Sequence, residues 1–161
     1  MSGMAGTIVI KAPYSVALDS LERRLRSKRN RITLLVPLKS LGLPTSFGFE
    51  AEVLVHFVSY RGHKGEKRLH DEMNLEWEPI GGGPFPSFKG SLKMHPLGVE
   101  TEMELRGEYT PPLGPVGELF DAMIGKKLAD ATAAALLGDI KSSLEEDFAT
   151  VKDTIEQTPR G

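Results

Sequence analysis

The stretch Gly107–Gly117, GEYTPPLGPVG, constrains this chain more than any other. An alternating strand pattern runs into it and a long helical pattern runs out of it. Pro111 and Pro112 lack the N–H that a sheet ladder needs, so the strand must stop there. Gly114 is a suitable N-cap, and Pro115 stands where a first helical residue belongs. The chain therefore leaves a sheet at Tyr109, turns a rigid corner and starts a helix predicted to run from Pro115 to about Phe148. A curved sheet closed by a terminal helix is a container.

The length, 161 residues, suits one domain, which buries roughly two-thirds of its unfolded surface. Positions 1–150 are expected to form it, with 151–161 as a fraying tail. A formal net charge of −2 exerts no global pull on nucleic acid. No apolar run approaches the roughly 20 residues that span a bilayer, so stable membrane insertion is not expected. The N-terminal MSGMAGTIVIK lacks the features of a signal peptide, and Ser2 stands where N-myristoylation requires glycine. The absence of cysteine excludes disulfides and thiolate chemistry. A soluble cytoplasmic protein is the expectation.

Thr7–Lys11 reads as a first strand, ended by Pro13. A helical pattern follows from Tyr14 to Lys28. Asp19 and Glu22 have the spacing of an N-cap and its reciprocal carboxylate, which predicts two short helices, the second starting near Ser20. Ile32–Leu38 is the next strand, with Pro37 marking an edge or bulge. Alternation then sets in: Phe49, Ala51, Val53, Val55 and Phe57 share one face, and Leu69, Asp71, Met73, Leu75 and Trp77 share one face of the next strand. Phe88–His95 and Val99–Tyr109 are predicted to pair through a tight turn at His95–Gly98. That register sets Lys93 opposite Glu100, Ser91 opposite Glu102 and Lys89 opposite Glu104. Its inner face carries Phe88, Gly90, Leu92 and Met94 against Leu105, Met103, Thr101 and Val99. In the long helix, Gly125 and Gly138 each cost about 1 kcal/mol against alanine, which suggests close backbone approach or a kink.

This order of elements is the helix-grip order. Through Trp77–Leu92 (WEPIGGGPFPSFKGSL) and Leu105–Ile140 (LRGEYTPPLGPVGELFDAMIGKKLADATAAALLGDI), the chain resembles an uncharacterised bacterial branch of the START-like, Bet v 1-type superfamily, also called SRPBCC or polyketide cyclase-like. The resemblance implies an α+β helix-grip fold: a curved antiparallel sheet of about six strands around a long C-terminal helix, with two short helices after the first strand. It also implies a cavity between sheet and helix for lipids, polyketides or other apolar ligands. It brings no catalytic residues with it.

Strand phase nominates the cavity wall: Phe49, Val53, Asp71, Met73, Leu75, Trp77, Met94, Met103 and Tyr109, with Phe120 and Ile124 from the helix. An inward Asp71 would have a raised pKa and suit acid–base work or ligand anchoring. The plainer alternative sets it at the wet end of its strand, bonded to a loop. Trp77 and Tyr109 combine apolar bodies with polar tips. The methionines are adaptable wall or core residues. His56 and His70 near Glu52 and Glu72 lack any zinc-site spacing, so neither metal nor cofactor is expected. The cluster Arg23, Arg24, Arg26, Lys28, Arg29 and Arg31 reads as a solvated helix face. Gly81–Pro86 (GGGPFP) is not followed by the residues of a phosphate loop and reads as a rim or lid.

The reading is a binder of a small hydrophobic or amphipathic ligand, monomeric or homodimeric, with no catalytic residue assigned. One rival is a cyclase or lyase using Asp71 and Tyr109 in the same cavity. The other is a protein-interaction module with a filled core.

Overall fold

The computed structural model describes residues 2–42, 50–61, 72–80, 85–110 and 122–157. The strands are β1 (Ser2–Ile10), β2 (Arg31–Pro37), β3 (Glu50–Arg61), β4 (Glu72–Pro79), β5 (Ser87–Leu97) and β6 (Glu100–Thr110). Helix α1 (Tyr14–Ser27) follows β1, a single 3-10 turn (Lys39–Leu41) follows β2, and helix α2 (Ala122–Gln157) ends the order. The six strands make one antiparallel sheet in the order β1-β6-β5-β4-β3-β2, curled as a half-barrel with α2 on its concave side. This is an α+β helix-grip architecture.

Four local features differ from the sequence expectations. β1 starts at Ser2 rather than Thr7, because it pairs with β6 from Ser2–Tyr109 to Ile10–Thr101. The ladder holds Gly3, Ala5 and Gly6 in a strand that their own propensities do not favour.

One continuous α1 replaces the two expected helices. Asp19 and Glu22 do not cap a second start. They pair with Arg23 and Arg26 one turn on, the i,i+4 geometry that supports an uninterrupted helix.

The β5–β6 register is displaced from the expected one. His95 stands opposite Glu102, Lys93 opposite Glu104 and Lys89 opposite Glu108. The turn is Gly98–Val99, with Gly98 at φ +61°, the first-position geometry of a II′ hairpin turn. Pro96 stays within β5, and Val99 is exposed at the turn rather than on the inner face.

In α2 the buried stripe is Leu128, Ala129, Thr132, Ala133, Leu136, Leu137, Ile140 and Leu144, while Ala131 and Ala135 lie half-buried at its border. The helix runs through position 148 to Gln157. The close approach lies in β1, where Leu137 Cδ1 would stand 3.4 Å from a β-carbon on Gly6. A β-carbon on Gly138 would have nothing within 4 Å, so close packing does not explain that glycine.

Polar contacts lock the helices to the frame. Arg24 Nη2 donates to Asp139 Oδ2 at 2.8 Å, and Ser20 Oγ donates to Asp147, joining α1 to α2. Thr101 Oγ1 donates to the buried Ala12 carbonyl at 2.8 Å. At the end of β1, Lys141 Nζ donates to the Val9 carbonyl at 2.7 Å, and the Lys11 amide donates to Glu145 Oε2 at 3.0 Å. Burial works to raise the Glu145 pKa. The hydrogen bonds from Lys141 and the Lys11 amide, with the charges of both lysines, outweigh it and hold that carboxyl below its ordinary value.

Candidate functional site

Period-two alternation decides which side chains face α2. Val53 and Val55 from β3, Met73, Leu75 and Trp77 from β4, Met94 from β5, and Met103 and Tyr109 from β6 are all buried on the concave face. Ile124, in the first turn of the described helix, is half-buried against the same core. Among the nominated wall residues, Phe49, Asp71 and Phe120 lie outside the described residues, as do the 111–121 corner, positions 81–84 of the glycine loop, and His63 and His70. The cyclase pairing of Asp71 with Tyr109 therefore has one described member.

Register lines these residues up in rows. Ile32, Val55, Trp77, Phe88 and Tyr109 are successive cross-strand partners from β2 to β6. The next row is Phe57, Leu75, Gly90, Gly107 and Met4. Gly90 and Gly107 face each other, and the Phe88 ring fills the space their side chains would take. Its Cζ lies 2.5 Å from an ideal β-carbon at either glycine. Trp77 stacks on Phe88, ring centroids 4.0 Å apart and planes at 15°. The glycine pair thus lets Phe88 lean over the ladder, and Trp77 lies on Phe88. Strand phase alone sets Phe88 and Gly90 on the inner face, but nothing in the spacing reveals the stack.

The Trp77 indole carries the site's one polar anomaly among the described residues. Trp77 is 1% exposed, and its Nε1–H reaches no hydrogen-bond partner. An unmet buried donor costs about 1–3 kcal/mol. The buried hydroxyls are met by contrast: Thr101 by Ala12, Thr132 by the Leu128 carbonyl, Ser20 by Asp147. Also unmet among the described residues is Arg24 Nε, on a guanidinium already paired through Nη2 to Asp139.

The outer face of the sheet is charged. Arg31, His56, Glu76, Lys89 and Glu108 form a row of cross-strand partners there. An open groove of about 480 Å³ runs along it past Leu54 and Glu78. Both charge signs occur along this row, and the described residues hold no group of three or more histidines and acids able to bind a metal. His56 stands between Arg31 and Glu76 in that row. No described helix is long and apolar enough to cross a membrane.

A half-barrel of six antiparallel strands closed by a long C-terminal helix, with an apolar concave face between them, is a helix-grip fold. Among solved structures, a conserved protein from Geobacillus kaustophilus matches with a TM-score of 0.54 at 15% identity, over 92% of this chain and 96% of that one. A protein from Thermus thermophilus matches with a TM-score of 0.51 at 14% identity, over 93% and 99%. A START superfamily protein from Mycobacterium smegmatis aligns at 0.47 and 14% identity, over 92% and 98%. The first two are likenesses of fold. No protein-family model and no curated protein matches the chain.

Proposed function

We propose that the protein binds a small apolar or amphipathic molecule between the concave face of the sheet and α2. One observation supports this reading: the concave face of the central strands β3, β4 and β5 presents only uncharged side chains toward the long helix. The central strands form the floor of the half-barrel. That floor is made of Val53, Met73, Leu75 and Trp77, whose side chains have no charge. A ligand there gains roughly 25 cal/mol for each Å² of apolar surface it buries. Met94 and Met103, paired across β5 and β6, supply soft walls that adjust to ligand shape. The proposed wall also takes in Ile124 and Tyr109, and Phe49, Asp71 and Phe120 by strand and helix phase. Access would lie between the 81–86 loop and the start of the long helix.

A thermal-shift panel of fatty acids, sterols and aromatic polyketides tests this. A ligand at a hundred times its Kd adds about 2.7 kcal/mol of stability. The expected result is a rise in Tm with at least one class. No shift across the panel, together with no binding of an apolar dye, overturns the reading.

A further inference from the structure

We infer that the ligand of this site carries an uncharged hydrogen-bond acceptor, a ketone, ester or ether oxygen, which the Trp77 Nε1–H engages. This rests on the ligand-binding reading above and adds to it a chemical requirement.

An indole N–H donates and cannot accept, so only an oxygen or other acceptor satisfies it. Neither cross-strand neighbour of Trp77 brings a side-chain acceptor: Val55 and Phe88 are hydrocarbons. Phe88 occupies one face of the indole at 4.0 Å, which fixes the ring and leaves the N–H edge as its unused polar element. A phenylalanine at position 77 would keep the stack and remove the unmet donor. The donor stands in the row that crosses the floor of the half-barrel, on the concave face that the long helix covers. An acceptor brought in by a ligand meets it there.

The acceptor is neutral because the described side chains of the concave face include no cation to balance a buried carboxylate or phosphate. The ligand class is therefore an apolar body with a carbonyl-type oxygen, rather than a fatty acid held by its head group.

Trp77 is the only tryptophan in the chain, so its indole resonance and emission report this position alone. The test titrates the full chain with 6-propionyl-2-(dimethylamino)naphthalene and with its 6-propyl analogue, which replaces the carbonyl by a methylene. One good hydrogen bond is worth about a tenfold preference for the ketone. The expected result is that W77F lowers the ketone-to-alkyl affinity ratio about tenfold, and that the wild-type indole N–H resonance moves downfield with the ketone but not with the alkyl dye. An unchanged ratio in W77F, with an indole resonance indifferent to the carbonyl, overturns the inference and leaves the ligand-binding reading standing. Failure of both dyes to bind overturns the inference, and together with a silent thermal-shift panel it removes the ligand-binding reading as well. Should W77F not fold, the wild-type resonance decides alone: a carbonyl-dependent downfield shift supports the inference, and its absence overturns it.

Discussion

Trp77 on β4 and Phe88 on β5 are cross-strand partners whose rings stack at 4.0 Å, and Phe88 in turn lies over the facing pair Gly90 and Gly107. Three levels meet in that relationship. Two glycines without side chains open a trough in the ladder, an aromatic ring fills it, and the tryptophan of the floor takes its orientation from that ring. Perturbing the glycines should therefore reach the proposed site.

Gly107→Ala tests this dependence. Its β-carbon would meet Phe88 Cζ at 2.5 Å, Gly90 Cα at 2.6 Å and the Lys89 carbonyl oxygen. Two of these are backbone atoms and cannot swing aside. Overpacking of this kind costs about 1–3 kcal/mol. Urea unfolding should give a lower midpoint, and the emission of the single tryptophan should shift as Phe88 is displaced. An unchanged midpoint and spectrum would disprove the trough.

Gly138→Ala should act in the opposite sense. The residue sits within α2, and an added β-carbon there meets nothing within 4 Å. Alanine restores about 1 kcal/mol of helix propensity. In a chain of this size the gain appears as a rise in Tm of roughly 2–4 °C by calorimetry. A fall in Tm would mean that the glycine backbone is needed for packing after all.

Glu145 gives a prediction in pH. Its folded pKa lies below the ordinary 4.5 because, against the opposing effect of burial, Lys141 and Lys11 favour the charged form. A depressed carboxylate stabilises the fold fully above the unfolded pKa and loses that contribution as pH falls through the folded one. Glu145→Gln should therefore cost up to about 1 kcal/mol at pH 7, and the difference from wild type should shrink as pH drops below 4.5. Chemical denaturation at several pH values reads this directly. A gap that widens on acidification would contradict the assignment.

The faces of β3 to β6 were legible because burial alternates with a period of two, and that signal survives a shift of register by an even number of residues. The same property hid the β5–β6 register. Lys89 and Lys93 meet glutamates in either alignment, since Glu100, Glu104 and Glu108 recur on one face. Turn chemistry at Gly98 decides between them, through its positive φ. The Asp19–Glu22 spacing misled because a capping pair and two i,i+4 ion pairs use the same residue types. The extent of β1 and the solitude of the Trp77 N–H depend on partners distant in the chain. Local pattern carries neither.

Native mass spectrometry of the full-length protein purified from its own host tests the central claim, a ligand held between sheet and helix, most directly. The account predicts a species heavier than the chain by one small molecule, released as an apolar compound bearing a neutral oxygen when the protein is denatured. A mass equal to the polypeptide alone, unchanged after incubation with a lipid and polyketide panel, would contradict it.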